Sequence, residues 1–309
     1  GRYLPEYMEI RSKFPDFFEM IKTPKICKEL TLQPLRRFPL DAAITFTDIL
    51  TIPEAMGVDI EFIKGQGPVF ADSINNNPKL TLNESNYLEK LDYVFEATQL
   101  IKGEIDVPLI GFSGSPWTLF VYLFYGRSPR NYEIIKSYVT NEPENTHAIL
   151  KALTNAIKEY ISAQIKSGAD CIQIFDSWGG ILSDQYNEFS LNYINEVRAS
   201  LSKDIPMILY AKGTSVNGLL PDTKIDCFNL DCDENIDDYI DMPLTVQGNF
   251  DPKDFHKEDA ELIDLADYIF EKYHTKQNYI FNVGSGITPD IDPDKVSLFL
   301  ERLRLFNSK

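Results

Sequence analysis

The chain has 309 residues, 43% of them hydrophobic, which is enough to bury a large core and excludes a disordered polymer. A formal net charge of −17 argues against nucleic acid as a partner, because neutralising phosphates needs clustered Lys and Arg. An anionic ligand must therefore be held by a local basic pocket working against the overall field.

In chain order, the sequence opens on Gly1 rather than Met, so we expect an upstream segment to precede it, together with any targeting signal. The first informative stretch is Phe38–Leu50, FPLDAAITFTDIL. Ala42–Thr47 reads as a short buried strand with Asp48 at its C-terminal end. Alternation puts Ile44, Phe46 and Asp48 on one face and Ala43, Thr45 and Thr47 on the other. An acid topping an apolar face is costly without a partner or a ligand, and in barrels of parallel strands this is where chemistry collects. Capping of the following helix is the competing role for Asp48.

Further apolar runs follow at Val107–Phe112, Cys171–Asp176, Pro206–Ala211, Ile225–Asp231, Leu244–Gly248 and Tyr279–Val283. Between them lie helical patterns such as Glu144–Ile165, Asp184–Leu201, Asp259–Tyr273 and Pro293–Phe306. Strands alternating with helices predict parallel pairing through right-handed crossovers. The fold expected is α/β, a (β/α)8 TIM barrel forming one domain over 1–309, with its first strand lying before residue 1. An open doubly wound sheet is the alternative.

The residues just past each strand are more telling than the strands themselves. Ser115 is a natural N-cap and Pro116 suits the first helical position, which would aim free N–H groups at the barrel mouth. Tyr122, on that helix, either projects its phenol towards the same mouth or is a core tyrosine. Ser177, in Asp176-Ser177-Trp178-Gly179-Gly180, either donates to a ligand oxygen or caps a helix. Glycines at Gly248, Gly284 and Gly286 allow close backbone approach, and no GxGxxG follows any strand. Cys27, Cys171, Cys227 and Cys232 show no metal-binding spacing, and a reduced compartment fits them best. His147, His256 and His274 fall away from the strand ends, so imidazole catalysis and His-based metal binding are poorly supported. No apolar run approaches the length of a membrane span.

Several long strings in this order resemble uroporphyrinogen decarboxylase over essentially the whole chain. They are GRYLPEY at 1–7, ELTLQPLRRFPLDAAITFTDIL at 29–50, IPEAMG at 52–57, PLIGFSGSPWTL at 108–119, IQIFDSWGG at 172–180, VQGNFDP at 246–252 and GSGITPDIDP at 284–293. The resemblance implies a (β/α)8 barrel, usually a homodimer with facing clefts, that needs no metal or organic cofactor. It implies an enzyme of porphyrin and heme biosynthesis that turns the four acetate side chains of uroporphyrinogen III into methyls, giving coproporphyrinogen III and CO2. A cytoplasmic location is expected, with organelle targeting left open by the N-terminus.

By that resemblance Asp48 sits at the cleft centre and Ile44 and Phe46 line an apolar floor beneath the macrocycle. Arg2 and Arg11 match family arginines that meet the substrate carboxylates, a task suited to guanidinium groups. A solvated helix arginine is the competing role for Arg11. Tyr122 and Ser177 match positions near the reacting acetate. Arg36 and Arg37 precede the strand at its N-terminal end and are read as structural.

Two departures stand out. The family motif carries Arg-Gln-Ala before Gly-Arg-Tyr, and we expect that arginine upstream of Gly1, on a loop that orders over substrate. The family also has His in an Asn-Leu-Gly-His-Gly string where this chain has Ser285, which keeps a donor but loses size and charge. A smaller change puts Cys232 where an aromatic is frequent. Three rival readings compete: a zinc-thiol methyltransferase barrel, which needs a His-x-Cys pair that is missing here; a phosphosugar barrel enzyme with a phosphate cradle at Gly248 and Ser285; and a tetrapyrrole binder without turnover.

Overall fold

A computed structural model describes residues 1–63, 65–214 and 221–307. Three helices lead in, α1 (Pro5–Arg11), α2 (Phe17–Ile21) and α3 (Pro24–Arg37), followed by β1 (Ala43–Ile44) and α4 (Thr51–Ala55). A hairpin, β2 (Ile60–Ile63) and β3 (Gly67–Phe70), precedes α5 (Asp92–Lys102). Next come β4 (Leu109–Gly114), α6 (Pro116–Tyr125), α7 (Glu133–Asn141), α8 (Pro143–Lys166), β5 (Cys171–Asp176) and α9 (Asn192–Ala199). The chain ends with β6 (Met207–Ala211), β7 (Cys227–Asn229), β8 (Thr245–Phe250), α10 (Asp259–Tyr273), β9 (Tyr279–Val283) and α11 (Pro293–Asn307).

Seven strands form one curled parallel sheet in the order β1-β4-β5-β6-β7-β8-β9. Each strand pairs with the next sheet strand along the chain, and the order never reverses. A doubly wound sheet requires a reversal at its switch point, so that alternative is discarded in favour of a barrel-type sheet. Among the described residues this sheet has seven strands, as many as the apolar runs predict. The helices cover the outer face. The apolar α6 is sealed there by Trp117, Phe120 and Phe124, all at 0% exposure.

Three elements depart from the sequence-based expectation. The strand expected over Ala42–Asp48 pairs only at Ala43–Ile44. Thr45 N–H still reaches Ile110 O at 3.0 Å, but Phe46 N–H turns to the Thr31 hydroxyl of α3 at 2.9 Å, and the chain leaves the sheet there. The alternation survives: Ala43, Thr45 and Thr47 are buried, while Ile44 is 41% exposed. The β2–β3 hairpin, paired antiparallel from Ile60↔Phe70 to Ile63↔Gly67, was not anticipated. The helix expected over Asp184–Leu201 is broken into a 3-10 turn at Ser183–Gln185, a π-helical turn at Asn187–Leu191 and α9. All four cysteines are free thiols.

Candidate functional site

The C-terminal ends of the strands gather most of the candidate residues. Past β1, Asp48 is held from two sides. Its Oδ1 accepts the Leu50 N–H at 3.0 Å, which turns the chain into α4, and its Oδ2 faces Arg2 Nη2 at 3.5 Å. Asp48 is not the cap of α4, whose N-cap is Leu50 without a side-chain bond; it braces the turn before that helix and presents an oxygen to a cation. Its side chain is 10% exposed. Burial pushes the carboxyl above the usual carboxylate range, against the opposing pull of Arg2 and the Leu50 N–H.

Arg2 keeps 45% of its side chain exposed, so its charge remains available to a ligand. Its guanidinium lies over the Phe17 ring at 5.0 Å, and that of Arg11 lies over the same ring at 5.8 Å. Phe17 is 2% exposed and comes from α2, whose N-cap Asp16 accepts from Phe18 and Glu19 N–H. One buried ring thus brings the two arginines together, an attraction that the aromatic face supplies directly. Arg11 also donates to Phe14 O and is not the freely solvated helix arginine of the competing role. Phe46 packs against Tyr7, with ring centroids 5.7 Å apart, between the exposed Ile44 and Asp48 along the chain. Arg36 and Arg37 are paired elsewhere, with Glu29 and Glu6, as a structural role requires.

The next sector is built on α6. Ser115 caps it by accepting Thr118 N–H at 2.9 Å, with Pro116 in the first turn, as the local sequence predicts. Tyr122 is half-buried and meets the Trp178 ring edge-on at 6.1 Å. Burial pushes its phenol upward; the Trp178 and Ser128 side chains work against that rise, and the nearby Asp48 charge adds to it. Ser177 is half-buried at the end of β5. The turn after it is capped at Trp178 without a side-chain bond, so Ser177 is not its cap.

On the far side, Ser285 comes after β9, and Cys232 Sγ donates to its Oγ at 3.4 Å. These two positions are thus in contact. Between the sectors, Phe112, Phe175 and Tyr210 form a row, with ring centroids 5.6 Å and 6.2 Å apart. Further round, the Gln247 and Asn282 amides both donate to Asn229 Oδ1. Sequence reasoning also missed Phe17 and the bonding of Asp176. Among the described residues no three His, Cys, Asp or Glu side chains are grouped to hold a metal, and no helix is long and apolar enough to cross a membrane.

Comparison with known proteins identifies the family. Residues 1–305 match the family model described as Uroporphyrinogen decarboxylase (URO-D). A uroporphyrinogen decarboxylase of Francisella philomiragia is 39% identical over 318 residues, covering 99% of this chain and 92% of that protein. One from Pseudoalteromonas translucida is 39% identical over 327 residues, covering 100% and 91%. Among solved structures, a methyltransferase from Methanosarcina mazei superposes with a TM-score of 0.77 at 17% identity over 97% of this chain and 90% of its own, a likeness of fold alone. The chain belongs to the uroporphyrinogen decarboxylase family.

Proposed function

We propose that this member of the uroporphyrinogen decarboxylase family is a carboxy-lyase of heme biosynthesis that converts the acetate side chains of uroporphyrinogen III to methyls, with coproporphyrinogen III and CO2 as products. The observation that carries the reading is the Arg2–Asp48 pair at 3.5 Å, beside an exposed apolar floor, in a chain matched end to end by decarboxylases.

The chemistry asks for these groups. A pyrrole acetate loses CO2 once the α-carbon of the ring, next to the carbon that bears the acetate, has been protonated. The electron pair of the breaking C–C bond then flows into the cationic ring. A proton added to the resulting exocyclic methylene makes the methyl, and loss of the ring proton restores the pyrrole. The intermediate is a cation, and a fixed carboxylate in a water-poor cleft stabilises it. Asp48 is that group in our reading: the oxygen that faces Arg2 accepts pyrrole N–H bonds and its other oxygen is anchored to Leu50. Its position suits a charge that burial disfavours and a cationic intermediate would relieve.

Arg2 and Arg11 receive substrate carboxylates, and Arg2 exchanges part of its hold on Asp48 for the ligand. Ile44 and Phe46 carry the macrocycle, Tyr122 and Ser177 face the reacting acetate, and Ser285 holds a rim carboxylate. We assign the whole chain to one barrel domain and propose a homodimer in the cytoplasm, without a metal or organic cofactor.

An anaerobic assay with uroporphyrinogen III, read by counting product carboxylates chromatographically, tests the reading. Hepta- to tetracarboxylate products are expected. A substrate that keeps all its carboxylates, while still quenching tryptophan emission on binding, favours a tetrapyrrole binder instead. Light scattering tests the dimer, and a single-chain mass would end that part of the proposal.

A further inference from the structure

Asp176, the last residue of β5, is fully buried, with 0% exposure, and the decarboxylation chemistry gives it no task. Among the described residues no cation pairs with it. Its partners are hydroxyls: Ser115 Oγ donates to Oδ1 at 2.7 Å, Thr118 Oγ1 donates to the same oxygen at 3.0 Å, and Ser190 Oγ donates to Oδ2 at 2.7 Å, with the Tyr186 phenol also against the carboxylate. Ser115 and Thr118 stand at the start of α6, and Ser190 comes from the π-helical turn that interrupts the expected helix. A carboxylate buried without a cation is a costly choice for packing alone. Burial is the largest influence on it and raises its carboxyl above the ordinary range, with the hydroxyls pulling the other way.

The bonds continue beyond the carboxylate. Thr118 Oγ1 also accepts the Trp178 N–H at 3.3 Å, and Trp117 Nε1 donates to Trp178 O at 2.9 Å. The loop passes so close that a Cβ on Gly179 would stand 2.7 Å from both Asp176 Oδ2 and the Tyr186 ring. An ionised carboxylate only accepts, so it forces each hydroxyl to point its hydrogen inward. The Thr118 oxygen is then left with its lone pairs towards Trp178 N–H. An amide in place of the acid would present a donor and release that rotor.

We propose that Asp176 is a positioning residue for the decarboxylation, fixing through Thr118 and Ser115 the Ser177–Trp178 peptide and hence the Ser177 hydroxyl and the Trp178 ring against Tyr122. The proposal rests on the reading that Tyr122 and Ser177 face substrate. Ser177 lies between the two anchored residues, and Trp178 is the ring that Tyr122 meets edge-on.

Both tryptophans of the chain, Trp117 and Trp178, belong to this network, so their emission reports on it directly. The test compares Asp176→Asn, Thr118→Val, Thr118→Ser and Ser190→Ala for tryptophan emission and for kcat and KM with uroporphyrinogen. Thr118→Val and Asp176→Asn should lower kcat about ten- to hundredfold, the scale of a misplacement of about an ångström, with KM changed far less. Both should shift the emission, and Thr118→Ser should restore kcat and emission together. Ser190→Ala, on the oxygen that does not lead to Trp178, should hold kcat within a few-fold of the parent.

Thr118→Val removes one hydroxyl at constant shape and decides the matter if Asp176→Asn fails to fold. A folded Thr118→Val enzyme with parental kcat overturns the proposal, and so does a loss equal to that of Ser190→Ala. If the parent itself does not turn over, the decarboxylase reading fails. The emission then judges the clamp alone, and an unshifted spectrum in Thr118→Val ends it.

Discussion

Asp48, on the segment that leaves the sheet past β1, and Asp176, the last residue of β5, are both acids on the C-terminal side of a parallel strand, and the fold treats them in opposite ways. Asp48 lies on the inner face with Ile44 and Phe46, meets a half-exposed arginine and keeps 10% of its side chain open. Asp176 is at 0% exposure on the helix-covered face, bonded by the hydroxyls of Ser115, Thr118 and Ser190, with the Tyr186 phenol also against it. Burial raises both carboxyls. The difference lies in what can be exchanged. Arg2 is long, partly solvated and able to trade Asp48 for a ligand, whereas Ser115, Thr118 and Ser190 are short and fully committed. An acid with an exchangeable partner suits chemistry, and an acid with fixed partners suits placement.

The sharpest way to break this contrast is Asp48→Asn. Removing the charge that faces a cationic intermediate should lower kcat by about a hundred- to a thousandfold, the cost of losing one well-placed electrostatic group. The same substitution should stabilise the fold at neutral pH. A carboxyl raised in the native state holds its proton more tightly there than when unfolded. Its favourable contribution is therefore complete below the ordinary value of 3.8 and is lost as pH rises through the native value. The stability gain of Asp48→Asn over the parent should shrink as pH falls towards 3.8, which denaturant melts across acidic pH would measure. A variant that is less stable than the parent at pH 7, and still active, would make Asp48 the structural acid.

Asp48 was legible in the sequence because its signals are local: a two-residue alternation, a strand end and a following helix. The same holds for the Ser115 cap, for β5 and β9, whose limits match the apolar runs, and for α10. Asp176 was visible only as the end of an apolar run and the first residue of a Gly-rich turn. Its bond to Ser115 spans 61 positions and no local pattern encodes it. The pairing of Cys232 with Ser285 spans 53 positions and was invisible for the same reason. The Phe17 ring that joins Arg2 to Arg11 comes after a loop of no regular period. The helix expected at Asp184–Leu201 had the right apolar spacing, and the interruption falls where Ser190 reaches Asp176, a tertiary contact that overrides propensity.

Arg2→Ala comes next in expected size. It removes the cation facing Asp48 and one donor to the substrate carboxylates. A hydrogen bond to a charged group is worth about 1.5–3 kcal/mol, so kcat/KM should fall roughly ten- to hundredfold. The loss should be much smaller in an Asp48→Asn background, because the two residues act on each other at 3.5 Å. Strictly additive losses in that double-mutant cycle would mean that Arg2 serves the rim alone. Tyr122→Phe should cost about tenfold in kcat, the worth of one neutral hydrogen bond made in the transition state. A comparable rise in KM at constant kcat would move Tyr122 from the reacting acetate to general binding.

The smallest effect expected concerns the side of the mouth farthest in sequence from both acids. Ser285 Oγ accepts from Cys232 Sγ at 3.4 Å, and burial pushes that thiol up while the Ser285 hydroxyl draws it down. Both side chains are short, so in our reading of the site this wall reaches little over a bound macrocycle. Ser285→His would restore a longer donor, but the ring must displace the Cys232 contact. Gly284 offers no room to relieve it, since even a Cβ there would lie 2.6 Å from Cys232 N. Ser285→His alone should therefore lower KM by no more than about threefold, less than one hydrogen bond is worth, with kcat unchanged. Paired with Cys232→Ala, which frees the space, it should lower KM further. A change in kcat in either variant would mean that this wall, and not only the acids, governs the chemical step.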